Sequence, residues 1–208
     1  MRRGFEFEIK LNLSRVQGFE VIMKRLILLA LIISRLLAGF AFCSSWTGFG
    51  GDSRWDNPSN WSPSDHYPSQ NDDANIANPS VLFMPTIHNG VNAKCQNLRV
   101  GYGQGGSVNL TINANATLTV GSEMRVGSEP ADIGVFTNSG NVNVGGELWV
   151  AGQGDAVIYN TGTINIGGTL SIPKWGAVNA VVHIDGGYIK AASLYMYASV
   201  QNKKNIDL

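Results

Sequence analysis

The chain has 208 residues, 15 Lys or Arg against 15 Asp or Glu, and only 14% charged residues, a length that suits one domain with a core of its own. The charge is unevenly spread: residues 1–43 hold seven basic and three acidic side chains, and residues 44–208 hold eight and twelve. The larger part is therefore mildly acidic, without the basic stripe that a nucleic-acid binder needs to neutralise phosphates, and its Gly, Asn, Thr and Val point to a β protein of an extracellular kind.

Residues 1–22 read as an upstream segment without a fold. Met23-Lys24-Arg25 then precedes "LILLALII", a basic start and an eight-residue apolar stretch, followed by small residues before Cys43. This is the pattern of a signal peptide over residues 23–43, with cleavage after Ala41 or Cys43. The competing reading, a membrane anchor over 26–42, is too short to span and sets Arg35 near mid-bilayer at about 2.5 to 3.5 kcal/mol. "FAFC" is a poor lipobox, so no lipid is expected on Cys43. The chain is thus expected to be secreted or displayed on a cell surface, meeting the membrane only through the cleaved signal. Two Cys give no disulfide framework.

Residues 44–80 form a Trp-rich segment, with Trp46, Trp55 and Trp61 set among Gly, Pro, Asn and Asp. It reads as a loop-rich cap packed on its aromatic rings, the alternative being a sugar-stacking platform. Asp72 and Asp73 are adjacent, beside Gln70 and Asn71, and are weak calcium candidates against the simpler reading of a solvated loop. No metal site and no cofactor are otherwise expected.

Residues 81–208 carry a repeat. "NSGNVNVGGELWV" at 138–150 returns as "NTGTINIGGTLSI" at 160–172, with six of thirteen positions identical and four exchanging Ser for Thr or Val for Ile. The unit is apolar-x-apolar, a Gly pair, x, apolar-x-apolar: Leu118, Val120, Met124, Val126; Val142, Val144, Leu148, Val150; Ile164, Ile166, Leu170, Ile172. An earlier copy runs Ala93, Cys95, Leu98, Val100, placing Cys95 inward as a small apolar group. The second apolar pair recurs at 98, 124, 148, 170 and 194, intervals of 26, 24, 22 and 24 residues. Alternation of period two means strands with one buried face, the Gly pairs between them are expected to permit tight corners that a residue with a Cβ would resist, and a unit this short buries its apolar face only by stacking on its neighbours. The reading is an all-β fold, a right-handed parallel β-helix (β-solenoid) of about five coils of 22–26 residues, its handedness resting on analogy. The extra residues are placed in "GYGQGG", "GSEPAD" and "AGQGD", all at one corner. Repeated Asn138, Gly140 and Asn143 are expected directly above Asn160, Gly162 and Asn165, with Asn tolerating left-handed turns and bonding along the stack.

The residue between the second apolar pair faces outward and reads Arg99, Arg125, Trp149, Ser171, Tyr195 down the stack. Arg125 is expected to rest against Trp149, and Arg99, Arg125, Trp149 and Tyr195 form a candidate ligand-binding strip for an acidic glycan, against an ordinary mixed surface ladder. No catalytic residues are assigned. Polysaccharide lyases and hydrolases use this architecture with clustered carboxylates, but Asp132, Asp155 and Asp185 belong to turns of different coils, and His66, His88 and His183 show no metal-ligand spacing.

The run W-x-G…W-x-x-x-x-N-W…P…D-D-A-x-I, feeding into "LRVG" and Gly-rich strand repeats, resembles the autotransporter-like β-helix repeat proteins of bacterial surfaces. These include the sorting-signal-bearing, PEP-CTERM-type secreted proteins of planctomycete-like bacteria. The resemblance covers about residues 46–200 and implies an N-terminal cap and a structural or adhesive surface role. The runner-up is polysaccharide binding or degradation. Expected partners are extracellular polysaccharide or other surface proteins, with no nucleic acid. "QNKKNIDL" carries no evident cap, which leaves end-to-end association at the last coil and a chain continuing beyond 208 as expectations.

Overall fold

The computed structural model describes residues 42–172 and 179–196. The upstream segment, the signal-peptide region up to residue 41 and the chain end after Met196 lie outside the described residues. The described residues fall within one compact unit, Ala41–Leu208.

Three stacks of parallel strands make the body. The first contains β4 (Thr86–Ile87), β7 (Gly106–Ile112), β10 (Asp132–Asn138), β13 (Asp155–Asn160) and β15 (Ala180–Ile184). The second contains β5 (Asn92–Cys95), β8 (Thr117–Val120), β11 (Asn141–Val144) and the first halves of β14 (Thr163–Ile172) and β16 (Tyr188–Met196). The third contains β3 (Asp73–Ile76), β6 (Leu98–Val100), β9 (Met124–Val126), β12 (Leu148–Val150) and the second halves of β14 and β16. Each coil visits the three stacks in turn, and about five coils form a β-solenoid. No α-helix occurs among the described residues.

The register is the one the repeat requires. Leu98 pairs with Met124, Met124 with Leu148, Leu148 with Leu170 and Leu170 with Leu194. Inward side chains form apolar columns: Leu118, Val142 and Ile164 are fully buried, as are Val100, Val126 and Val150. Each such side chain contributes about 1.5–3 kcal/mol relative to exposure, and the stacking supplies what no single coil has. Cys95 sits in this interior, where burial, then the charges of Asp73 and Asp72, push its thiol well above the ordinary range.

The stack begins one rung earlier than the repeat indicates. Ala74 and Ile76 of the "DDANI" run pair with Leu98 and Val100, so the cap segment supplies the first rung of the third stack. Above it lies β1 (Cys43–Trp46), parallel to β3, and then β2 (Trp61–Ser62), antiparallel to β1. The edge left open by the first coil is thereby covered. Trp61 meets Trp46 and Trp55 edge to face, at centroid distances of 5.1 and 4.6 Å, and donates its Nε1–H to the Trp55 carbonyl. A 3-10 turn at Pro58–Asn60 is capped by the Asn57 side chain. The Asp52 carboxylate accepts from the Arg54 N–H and the Asn57 and Asn60 amides. All three Trp are buried, as packing of a cap requires and an open sugar platform does not.

Coil length varies at all three corners, not one: between the second and third stacks, Leu98 follows Cys95 by three positions, whereas their partners Met124 and Val120 are four apart. The turn between β7 and β8 spans residues 113–116, whereas that between β10 and β11 spans 139–140, and this accounts for the step from 26 to 24. The step from 24 to 22 lies in the loop after β9: seven positions separate Val126 from Ile133, but five separate Val150 from its paired Asp155. In the last coil the register slips by one residue between Ile166 and Thr169, where Ala192 stands against a Gly pair.

The Gly pairs serve a different purpose from turning the chain. None of Gly145, Gly146, Gly167 and Gly168 has a positive φ. A Cβ on Gly145 would lie 2.3 Å from the Gly121 carbonyl oxygen, and one on Gly167 would lie 2.5 Å from that of Gly145. Successive corners nest too closely for any side chain. The same correction applies to the repeated asparagines: Asn138, Asn143, Asn160 and Asn165 are not left-handed, and only their bonding along the stack holds.

Candidate functional site

The third stack presents one outward column, Ser45, Asn75, Arg99, Arg125, Trp149, Ser171 and Tyr195, each paired with the next. All four residues of the expected strip therefore share one line. Within it the Arg125 guanidinium lies over the Trp149 ring, 4.0 Å from the centroid, as the sequence predicts.

The column is not evenly open. Trp149 is buried at 8% exposure, its ring covered by Arg125 and its Nε1–H donated to Glu147 at 2.6 Å. Ser171 is fully buried, and Tyr195, beyond it, is 51% exposed. Arg125 and Tyr195 are therefore separated by two rungs whose side chains offer little surface. The aromatic face available next to the Arg pair is instead Tyr102, whose ring lies 5.0 Å from the Arg99 guanidinium and which is 37% exposed.

The guanidiniums are compensated locally. Arg99 stands 3.8 Å from Asp73 and donates to the Asn75 side-chain oxygen at 3.3 Å. Arg125 pairs with Glu123. Burial, and then repulsion from Arg99, lower the Arg125 pKa, opposed by Glu129, Tyr102 and Glu147; an Arg so placed stays charged at neutral pH. The carboxylates of Asp73, Glu123, Glu129 and Glu147 outnumber the two guanidiniums, so the face offers no surplus positive charge to an acidic glycan.

Glu123 and Glu147 occupy the same outward column on adjacent rungs, about 4.8 Å apart along the stack. Each carboxylate is committed, one to Arg125 and the other to Trp149. The expected calcium candidates are committed too. Asp72 is 4% exposed and accepts from Phe42 N–H, Ser69 N–H and the Ser69 hydroxyl, while Asp73 accepts from the Asn97 amide and faces Arg99. A cation there would have to displace N–H donors that it cannot replace. Among the described residues no three His, Cys, Asp or Glu side chains converge on one point.

A cleft of about 540 Å³ opens beside the first rungs, between the column and the loop after β6, lined by Ser45, Asn75, Tyr102, Gly103, Gln104 and Glu129. Its size falls within the range of small-molecule sites. The loop forming its outer wall is held by Asp132, a buried carboxylate that accepts from Gly103 N–H at 2.6 Å and Gly105 N–H at 2.8 Å. Sequence reading missed Tyr102, Gln104 and Glu129. "GYGQGG" has no periodic signal, and the only available hint was a Tyr set between Gly residues that turn it outward.

On the first stack, Tyr159 and His183 lie parallel on adjacent rungs, ring centroids 4.9 Å apart. His183 faces outward as expected. No family model, curated protein or solved structure matches the chain.

Proposed function

We propose that this protein is a secreted or cell-surface β-solenoid with a structural or adhesive role and no catalysis of its own. The observation that carries the reading is that outer polar groups bond one another from coil to coil. On the second stack Asn165 donates to Asn143 at 3.1 Å, and Thr169 and Ser193 share a hydrogen bond at 2.8 Å on the third. The carboxylates that would do acid or base work are bonded to Arg125 and Trp149. Such an exterior supports rigidity and contact rather than turnover. At the far end, Val182, Ile184, Leu194 and Met196 are half-buried, whereas their partners Ile158, Asn160, Leu170 and Ile172 are buried. That difference supports end-to-end association at the last coil.

The test is protease treatment of intact cells producing the full chain. Loss of the protein from intact cells, with cytoplasmic markers spared, is expected; protection until lysis would overturn surface display.

The cleft supports a second reading, binding of a neutral sugar chain. Tyr102 offers a ring face, Gln104, Ser45 and Glu129 offer polar groups, and Asp132 holds the loop in place. On a glycan array the protein is expected to retain neutral oligosaccharides, and Tyr102→Ala and Gln104→Ala to weaken that binding. Unchanged binding in both removes the site.

A further inference from the structure

We propose that the chain is cut between Ala41 and Phe42 and that the new Phe42 ammonium is held by the Asp72 carboxylate. This rests on the secretion reading and names the site at which it acts.

Two candidate bonds follow from the leader, one after Ala41 and one after Cys43. Gly39 and Ala41 place small residues at the positions that a signal peptidase reads, third and first before the bond. The structure separates the two. Phe42 already belongs to the cap: its carbonyl accepts from the Asp73 N–H at 2.8 Å, its ring meets His66 edge-on at 5.5 Å, and its nitrogen donates to Asp72 Oδ1 at 3.2 Å. Cys43 is the first residue of β1, opposite Asp73, and its sulfur accepts from the Asn75 amide. Cutting after Cys43 would discard all of these contacts and leave a buried carboxylate oxygen short of a donor.

Asp72 is suited to an ammonium. It is almost wholly buried, and the one basic side chain within 4.0 Å of it among the described residues is the His66 imidazole, Nε2 at 3.9 Å. Burial would raise its pKa; the Ser69 hydroxyl, the Ser69 and Phe42 N–H groups and His66 outweigh that and hold it below the ordinary value, so it is ionised at neutral pH. Hydrolysis by a membrane peptidase adds water across the Ala41–Phe42 amide. The hydroxyl goes to the Ala41 carbonyl carbon and a proton to the Phe42 nitrogen, which takes a second proton from solvent; no electrons are exchanged. A hydrogen bond charged only on its acceptor thereby becomes an ammonium–carboxylate pair charged on both sides, at a buried carboxylate where such bonds are strongest.

The experiment is expression of the full chain with its own leader in a bacterium, followed by fractionation, intact mass and N-terminal sequencing. A product outside the cytoplasm that begins at Phe42 is expected. An exported product beginning at Ser44 or elsewhere overturns the cleavage site and leaves secretion standing; a chain that stays cytoplasmic and uncut overturns both. The α-amine of the exported product is then titrated folded and in urea. His66, Asp65 and Asp73 also face this position, so Asp72→Asn is titrated beside it. The folded amine is expected to titrate at least tenfold further toward high pH than the ordinary α-amine range of about 7.7–8.0, and Asp72→Asn to remove most of that shift. Equal titration folded and unfolded overturns the capture.

Discussion

The Asn138 side chain donates to the Asn160 Oδ1 at 2.8 Å, one coil away, in the middle of the apolar interior. Both amides also bond backbone: Asn138 to the Gly140 N–H and carbonyl and the Thr163 carbonyl, Asn160 to the carbonyls of Gly162 and Tyr188. Above and below them the same register holds Ile112 and Ile184, so the polar pair is an island closed on itself. Asn160→Ala removes the acceptor of the Asn138 amide across the coil and the side-chain donor to the Gly162 and Tyr188 carbonyls, and is expected to cost about 1–3 kcal/mol in urea unfolding. The paired change to Ile at both positions also takes the acceptor from the Gly140 N–H and the donor from the Gly140 and Thr163 carbonyls, and is expected to cost more than Asn160→Ala.

Gly145→Ala places a methyl 2.3 Å from the Gly121 carbonyl oxygen. The neighbouring coil must move, at a cost of about 1–3 kcal/mol or more. Thermal unfolding is the measurement. Gly51→Ala, where a Cβ meets open space but φ is +78°, carries only left-handed strain and is expected to cost about 1–2 kcal/mol.

Trp61→Ala is expected to destabilise by about 3–5 kcal/mol, because it empties a fully enclosed site between two other rings and frees the Trp55 carbonyl. Trp61→Phe keeps a ring and loses the hydrogen bond, so its cost is smaller. Light scattering should rise for Trp61→Ala as β1 loses its cover and an edge is exposed.

Acid should loosen the cap first. The folded pKa of Asp72 lies below its ordinary value of 3.8, so the stability it confers is complete above the unfolded value and is lost as pH falls through the folded one. Asp52 shares the sign: burial raises it, but the Arg54 N–H, the Asn60 and Asn57 amides and the Arg54 charge lower it by more. Trp fluorescence followed downward from about pH 5 is expected to report the change, and Asp72→Asn to flatten it.

The interior was legible because its signal is local and repeated. Leu98, Met124, Leu148, Leu170 and Leu194 announce their own register through alternation and spacing, and they pair as that spacing requires. The first rung was hidden: Ala74 and Ile76 form a single short apolar pair inside a polar loop, recognisable as a strand only once β6 lies beside it. The role of Gly145 and Gly167 was misjudged because the demand for a missing Cβ comes from the next coil, not from their own backbone angles. Arg125 on Trp149 was readable from the rung spacing. The wall of the cleft was not, since it depends on a carboxylate at 132 reaching nitrogens at 103 and 105.

The two corners whose length changes by two residues, at residues 113–116 and 127–131, do so while the pairing on either side stays in step. Decoration and scaffold are therefore separable: peptides grafted at these bends would be carried outside a spine that need not be redesigned. A lineage could diversify what it displays by editing those bends alone, and a display platform built on this chain would begin with the same two addresses.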